Sequence, residues 1–402
     1  MIIKKPILYT SLIVLIAFII GLLNAHQLPI YKTTILLSPL LLYIDAYLYF
    51  IFTNKYEAGK LRKYITAIII YVLSASLSIF LLALFYGFTN WSPIFNHLIF
   101  TAISISYIPK LFVFSILMIL LLVDLLIFKR HIIRTRINRI LGITFIVLFT
   151  MMLFGSLRTA YNIKINHKVI IVSKLPEPLN GLKIVHISDL HLGSWISVDP
   201  IKNLVEKINN LNPDLVFITG DIVNFHTDEI DRFAKILPEI RARYGVYSIL
   251  GNHDYGEYLS WGNDIEKEAN IRRLINTKES FGWCVLMNES YELEINGEEI
   301  IIAGVENWGK KSRFPKKGDI DKAIEGIDTT KTILLLSHDP SYWDEIISTQ
   351  HRYVDVTFSG HTHGMQIGIN NNTSLAKLFF KQSGGLYQLN SSHKCNFLFN
   401  QI

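Results

Sequence analysis

The first 160 residues are dominated by long apolar stretches that short polar loops separate. Five of these stretches approach the length of a membrane-spanning helix: 7–23, 33–52, 64–88, 111–128 and 140–157. A helix crosses a bilayer with about 20 mostly apolar residues. A further apolar run, 98–108, stops at Pro109, and it either extends the fourth helix or lies at the membrane interface. The pattern therefore predicts a polytopic α-helical membrane region of about five helices over residues 1–158.

Charge adds an orientation to these helices. Residues 1–160 contain 14 Lys/Arg and 3 Asp/Glu, whereas the remainder of the chain contains 25 Lys/Arg and 30 Asp/Glu. The basic residues concentrate before the first apolar stretch and in alternate loops, at 55–63 and 129–139. Because cytoplasmic loops carry the excess of Lys and Arg, five spans predict a cytoplasmic N-terminus and an extracytoplasmic C-terminal domain. That domain is mildly acidic, so we expect no nucleic-acid partner.

Two acidic residues, Asp45 and Asp124, fall within apolar stretches. Ionisable residues inside a membrane are costly and often mark functional sites. Since no second acid completes a proton relay, we favour a packing role. Asp45 is then expected inside a small helix bundle, and Asp124 a turn away from the basic end of its helix.

The second part of the chain alternates between strand-like and helix-like segments. Apolar runs typical of buried strands cover 182–188, 215–219, 246–250, 331–336 and 354–358. Helix-like patterns follow the first three of these runs, at 199–211, 228–241 and 264–277. Two more strand-like runs, 291–295 and 299–304, flank Asn296-Gly297, which is a strong hairpin signal. This alternation predicts an α/β layered domain over residues 159–402.

Polar clusters follow the strand-like runs, and they contain the residue types that bind hydrolytic metal ions. The clusters are Asp189-Leu190-His191, Gly220-Asp221, Gly251-Asn252-His253-Asp254, Ser337-His338-Asp339 and Gly360-His361-Thr362-His363. The carboxyl ends of strands are where α/β sheets place their sites. Carboxylate, imidazole and amide ligands there suit a pair of divalent ions that share one carboxylate. His253 is then a candidate acid, and Asp254 a candidate for orienting its ring.

The order of these clusters, over roughly residues 165–370, resembles that of the calcineurin-like metallophosphoesterases. The resemblance implies an αββα sandwich with two mixed sheets and a dinuclear metal site. The ligands it implies are Asp189, His191 and His363 for one ion, Asn252, His338 and His361 for the other, and Asp221 as the bridge. His253 would donate a proton to the leaving group or stabilise the transition state, with Asp254 supporting it. Mixed nitrogen and oxygen ligands admit Mn, Fe, Zn or Co.

The residues around the motifs are similar to a membrane-associated bacterial branch of that family, some members of which hydrolyse the pyrophosphate of UDP-diacylglucosamine. The similar stretches are 189–194, 219–224 and 358–368. The resemblance implies a phosphoester or pyrophosphate hydrolase that acts on a phosphorylated small molecule or lipid at the bilayer. A phosphodiesterase acting on nucleotides or cell-wall polymers stays open, as does a non-catalytic membrane sensor or scaffold. The complete ligand set favours an enzyme.

Two regions carry no readable signal of this kind. Residues 388–402 depart from the branch, so we expect no final strand there and an exposed sheet edge. Aromatic residues in the loops either line an apolar substrate groove or act as interfacial anchors or core, and the second reading is favoured. They are Trp195, Tyr255, Tyr258, Trp261 and Trp308.

Overall fold

The computed structural model divides the chain into two compact units, Met1–Lys164 and Ile165–Ile402. The residues it describes are 32–54, seven positions between 64 and 79, 93–123, 134–158, 161–259, 261–309, 316–362, 368–370, 373–374, 381–382, 384–391 and 394–400. The predicted apolar stretch at 7–23, most of that at 64–88, and Asp124 lie outside the described residues.

Three long helices are described in the N-terminal unit: α1 Lys32–Asn54, α2 Pro93–Val123 and α3 Arg134–Leu157. Helix α2 continues through Pro109, so the apolar run at 98–108 extends the helix that follows and is not a separate interfacial piece. Among the described residues, two stretches are long and apolar enough to cross a membrane, His97–Leu120 and Ile140–Leu157.

Asp45 lies in the interior of this unit, as predicted. Its carboxylate is fully buried and sits 2.8 Å from Nζ of Lys110 on α2. The hydroxyl of Tyr107 donates a second bond to it, also 2.8 Å long, and Lys110 donates to the carbonyl of Ile70. The acid is therefore part of a buried polar cluster that joins α1 to α2.

The C-terminal unit contains two large sheets. The first has four strands in sequence order: β1 Ile184–Ile187, β2 Leu215–Thr219, β3 Val246–Ile249 and β4 Trp283–Val285. The second has six strands: β5 Glu289–Ile295, β6 Glu298–Gly304, β7 Thr332–Leu336, β8 Val356–Ser359, β11 Gly385–Ser391 and β12 Lys394–Asn400. Its spatial order is β11-β12-β8-β7-β6-β5. Two short strands, β9 Gly368–Asn370 and β10 Thr373–Ser374, pair separately.

The expectation of two mixed sheets is wrong for the first sheet. All of its described pairings are parallel, because each connection between neighbouring strands is a long crossover. The crossovers carry α4 Asp199–Asn210 and α5 Asp264–Ser280. The second sheet is mixed, since its β5–β6 and β11–β12 pairs are antiparallel hairpins while β6, β7, β8 and β12 run parallel.

The helix predicted at 228–241 is also wrong. This crossover forms two short 3-10 helices, Thr227–Phe233 and Leu237–Glu239. Pro238 stands in the first turn of the second one, where it cannot donate a backbone bond to the preceding turn. A continuous α-helix is therefore interrupted at this point.

The hairpin at Asn296-Gly297 is confirmed. Strands β5 and β6 pair antiparallel up to Ile295 and Glu298. The two loop residues have positive φ angles of 54° and 81°, as a type I′ turn requires.

The expected lack of a final strand is wrong. Strand β12 pairs with β11 in an antiparallel hairpin and lies parallel to β8, with Phe397 opposite Val356. The edge of β8 is thus covered. Only the folded sheet offers that edge, so the apolar run of β12 alone did not predict the pairing.

The two sheets face each other across the main apolar core. Buried side chains of β2 and β3 pack against those of β6, β7 and β8, and the rings of Phe217 and Phe358 meet edge to face with centroids 4.9 Å apart. The outer face of the second sheet is covered by α6 Ile320–Ala323 and by residues 342–347, which include the π-helix Trp343–Ile347, followed by α7 Ser348–Gln350. The remaining 3-10 helices are Glu177–Leu179 and Leu192–Ser194. This is an α/β sandwich whose predicted ligand loops all leave the carboxyl ends of strands.

Candidate metal centre

The loops that follow the strands turn sharply, and their turning points are motif residues. Asp189, His191, Asp221 and His361 have positive φ angles of 56°, 44°, 53° and 73°. A left-handed conformation is unfavourable for residues that carry a side chain, and it persists only where the surroundings impose it. Backbone bonds of 3.0 Å from Asp189 to Gly220 and from His191 to Asp221 provide such a constraint.

Two glycines allow these loops to approach closely. A side chain at Gly251 would overlap the carboxylate of Asp221, and one at Gly360 would overlap the carboxylate of Asp189. The glycines of the Gly-Asn-His-Asp and Gly-His-Thr-His motifs therefore make room for the acidic groups of other loops.

Asp221 stands at the centre of the cluster and is almost completely buried. Its Oδ2 lies 3.2 Å from Nε2 of His338 and 3.8 Å from Nε2 of His191, while Oδ1 accepts a 2.8 Å bond from the backbone N–H of His253. Burial opposes ionisation, but His338, His253 and His191 outweigh it and hold the pKa of Asp221 well below its usual range. The carboxylate is therefore charged.

Nitrogen and oxygen atoms of His338, Asn252 and His361 converge beside Asp221. Nδ1 of His338 lies 2.7 Å from the carbonyl of Thr219, which can only accept, so this nitrogen holds the proton. The other nitrogen, Nε2, faces Oδ1 of Asn252 at 3.1 Å, and that oxygen is 2.7 Å from Nδ1 of His361. Burial lowers the pKa of His338, yet Asp221 outweighs it and raises the pKa to about 10. The proton on Nε2 then lies between this nitrogen and the oxygens of Asp221 and Asn252. A divalent cation can take the place of that proton, and nitrogen and oxygen ligands of this kind fit one.

The described residues contain two groups that could each hold a metal ion, and Asp221 belongs to both. One group is His191, Asp221 and His253, and the other is Asp221, His338 and His361. Asp189 approaches from the side, where its carboxylate accepts the backbone N–H of His361 at 3.0 Å. Six of the predicted ligands thus come together, and His363 lies outside the described residues.

The ring of His253 is oriented by a residue that the sequence did not single out. Nδ1 lies 2.7 Å from the carbonyl of Asn224, so Nε2 is the nitrogen left for a ligand or substrate. The expected bond from Asp254 to this ring is not formed. The Asp254 carboxylate accepts backbone N–H groups of Ile222, Val223 and Gly251 instead, and it therefore fixes the loops on which the site is built.

Glu229 is a second residue that sequence reasoning missed. Its buried carboxylate accepts backbone N–H groups from the loops that follow β1 and β2, at Gly193, Asn224, Phe225 and His226. Burial raises the pKa of Glu229 to about 7, although these four donors act in the opposite direction. The sequence signal is a capping box that starts at His226, an unusual residue in that role.

The loop aromatics divide between core and site. Tyr255 is buried and donates to Glu306, and Trp308 packs on Tyr342 in the outer core. Tyr258, in contrast, stacks on the ring of His253. The favoured reading of these residues as core or anchors therefore does not hold for Tyr258.

Comparison with known proteins agrees with this geometry. Residues 182–365 match the family described as calcineurin-like phosphoesterase. An uncharacterized metallophosphoesterase of Aquifex aeolicus (strain VF5) is 30% identical over 230 residues, which cover 57% of this chain and 80% of that protein. The chain belongs to the calcineurin-like metallophosphoesterases. The resemblance inferred from the motifs is thereby confirmed, and it extends over the C-terminal unit that holds the candidate metal ligands.

Two further relatives of this metallophosphoesterase are informative. A zebrafish (Danio rerio) transmembrane protein with metallophosphoesterase domain is 30% identical over 227 residues, covering 55% of this chain and 49% of that protein. The UDP-2,3-diacylglucosamine pyrophosphatase LpxG of Chlamydia trachomatis is 30% identical over 222 residues, covering 48% of this chain and 66% of that protein. The match thus spans about half of the zebrafish protein and two thirds of the chlamydial one.

Proposed function

We propose that this metallophosphoesterase is a dinuclear enzyme that hydrolyses a phosphoester or pyrophosphate of a lipid-linked substrate. The observation that carries the dinuclear part is the position of Asp221, which belongs to two adjacent groups of potential ligands. We assign Asp189, His191 and His363 to one ion, Asn252, His338 and His361 to the other, and Asp221 to both.

Two divalent ions in such a site supply Lewis acidity and lower the pKa of a water molecule. The protein residues prepare the site for that chemistry. Asp221 stays ionised because its histidine neighbours keep its pKa low, and Asn252 offers a neutral oxygen. His253, held at Nδ1 by Asn224, presents Nε2 and, when doubly protonated, can donate that proton to the leaving oxygen.

The lipid-linked substrate is inferred from the chain connectivity and from one relative. Residues 158–183 join α3 to the first core strand, so the phosphoesterase domain is covalently attached to the proposed membrane helices. The chlamydial relative is named for a diacylated sugar nucleotide. We propose the same class of substrate here, a phosphate or pyrophosphate that carries acyl chains.

We further propose that residues 1–158 form a multi-pass membrane region and residues 159–402 a domain outside the cytoplasm. Two described stretches have the length and composition of spans, and the basic loops alternate along the region. The bilayer is thus a partner of the enzyme.

The dinuclear assignment is tested by Asp221→Asn in the full-length protein. A neutral amide cannot hold two cations at bridging distance, so we expect metal content and hydrolysis of an aryl phosphodiester to fall together. Elemental analysis and turnover with added Mn²⁺ measure both. Asp231→Asn, at an exposed acid paired with Arg273, is the matched control and should keep both. Two full equivalents of metal in Asp221→Asn would contradict the assignment.

The substrate class needs a separate screen. Detergent-solubilised protein is offered a bacterial lipid extract, UDP-diacylglucosamine, soluble UDP-sugars and cyclic or linear nucleotides. We expect phosphate or nucleoside monophosphate release from the acylated substrate at a kcat/KM well above that for its deacylated counterpart. Equal kcat/KM for the acylated and deacylated substrates, or a preference for nucleotides, would contradict the lipid assignment. Neither result would contradict the assignment of two metal ions to the site.

A further inference from the structure

Tyr258 contacts two members of the proposed catalytic apparatus at once, although it lies outside every motif. Its ring stacks on that of His253, with centroids 4.1 Å apart and an interplanar angle of 15°. Its hydroxyl oxygen accepts a 3.1 Å hydrogen bond from Nδ2 of Asn252. One half-buried side chain therefore touches both the candidate acid and a candidate metal ligand.

The contact with Asn252 bears on how that residue can bind a cation. An amide side chain has one oxygen that accepts and one nitrogen that donates two hydrogens. If Oδ1 faces the ion beside His338 and His361, Nδ2 must find an acceptor on its other side. Asn252 is 2% exposed, so its surroundings must supply that acceptor, and the Tyr258 hydroxyl does so. The bond favours this orientation of the amide, in which its N–H groups face away from the cation.

The contact with His253 bears on the direction of Nε2. The bond from Nδ1 to Asn224 sets the rotation of the imidazole in its own plane. The edge-to-face contact with His191, at 4.6 Å between centroids, limits it on another side. The Tyr258 ring covers a face of the imidazole and restricts its tilt. Nε2 is therefore held in one direction.

We propose that Tyr258 is a positioning residue with two separable effects. Its hydroxyl keeps the Asn252 amide oriented as a metal ligand, and its ring keeps His253 oriented as the acid. The inference rests on the proposed dinuclear function, and it adds a residue that no motif contains.

Two substitutions separate these effects. Tyr258→Phe keeps the stacked ring and removes only the hydroxyl. We expect its Mn²⁺ affinity, measured by competition with a fluorescent chelator, to fall by about 10–100-fold, with turnover recovering at saturating Mn²⁺.

Tyr258→Leu also removes the ring. At saturating Mn²⁺ we expect its kcat to fall a further 10–100-fold for an alkyl phosphodiester, and far less for a nitrophenyl ester, whose leaving group needs no acid. Tyr291→Phe and Tyr291→Leu, at an exposed tyrosine of β5, are the matched controls.

The outcomes are distinguishable from a failure of the proposed function. Wild-type protein that binds no Mn²⁺ would overturn the dinuclear assignment itself. With a normal wild type, unchanged Mn²⁺ affinity in Tyr258→Phe would overturn the role of the hydroxyl. Equal losses of kcat on both substrates in Tyr258→Leu would overturn the role of the ring, because a merely structural effect does not depend on the leaving group.

Discussion

At the scale of single residues, His253 could act either as a metal ligand or as a general acid. It groups with His191 and Asp221 closely enough to serve as a metal ligand, and its Nδ1 bond to Asn224 leaves Nε2 for the site. A ligand would use Nε2 for the ion, whereas an acid would keep it for the leaving group. The proposed function assigns the second role.

His253→Ala distinguishes these roles. As an acid, its loss should leave metal content largely intact and lower turnover by about 10²–10⁴-fold on substrates with poor leaving groups. A much smaller loss is expected for an activated aryl ester. The measurements are elemental analysis and kcat on the two ester types. Loss of one metal equivalent, or equal losses on both esters, would assign His253 to the ligands.

His186 makes the fold sensitive to acid. It lies on β1, with Nε2 2.8 Å from the hydroxyl of Thr219 and its ring against Phe358. Burial lowers the pKa of His186 to about 3, and attraction by Asp189 offsets only part of this effect. Below pH 6.5 His186 becomes protonated in the unfolded chain, whereas in the folded chain it stays neutral down to about pH 3. The unfolding free energy therefore decreases as the pH falls from 6.5 toward 3.

His186→Gln should remove this contribution. Between pH 6.5 and 4 we expect the unfolding free energy of the wild type to fall more steeply than that of the variant. The difference in slope is at most one proton, about 1.4 kcal/mol per pH unit. Urea titrations of detergent-solubilised protein at several pH values measure it. His167→Gln, at an exposed histidine, should keep the wild-type slope, and parallel curves for wild type and His186→Gln would contradict the account.

At the scale of elements, α1 and α2 are joined by the pair of Asp45 and Lys110. Both side chains are fully buried and lie 2.8 Å apart, with Tyr107 as a further donor. Removing one member of a buried ion pair leaves an uncompensated charge, whereas replacing both by apolar groups avoids that cost. The pair therefore fixes how the two helices pack more than it adds stability.

Single and double substitutions test this account. We expect Asp45→Leu alone and Lys110→Met alone to lower the stability of the N-terminal unit by about 3–5 kcal/mol. The double variant should lie much closer to the wild type. Unfolding titrations in detergent, read as a double-mutant cycle, give the coupling between the two residues. Additive losses in the double variant would show that they do not act as a pair.

At the scale of the whole molecule, orientation is the property that charge predicts. Eleven Lys/Arg lie before the first apolar stretch and in the loops assigned to the cytoplasm, whereas Lys32 is the single one in the short outer loops. Loops of this length follow the charge rule. The phosphoesterase domain should then face outward.

Protease treatment of intact spheroplasts tests the orientation. An epitope at the C-terminus should be degraded without permeabilisation, while an epitope at the N-terminus should survive until detergent is added. The N-terminal epitope serves as the internal control for intact membranes. Protection of the C-terminal epitope would reverse the orientation and place the substrate in the cytoplasm.

The sequence by itself determined the features that consecutive residues encode. Short apolar runs predicted the central strands, because such segments are stabilised by burial in a sheet. Asn296-Gly297 predicted a hairpin, because both residues tolerate the positive φ angles of its turn. The order of the motifs indicated the family, since each cluster of ligand types follows a strand-like run in the sequence. Pro238 is likewise a local signal, because proline interrupts a continuous α-helix over 228–241.

Only the tertiary structure decided the contacts between residues far apart in the chain. Asn224, Glu229 and Tyr258 contact the site because separate loops meet at the carboxyl ends of the strands. Of the three, Glu229 alone has a local signal, the capping box that starts at His226. Asp254 accepts three backbone N–H groups and does not bond to the His253 ring, because the folded loops bring those N–H groups to its carboxylate. Residues 394–400 form strand β12 because they pair with the backbone groups along β8. Local sequence sets which segments form and which chemistry they carry, whereas partner choice depends on packing that brings distant segments together.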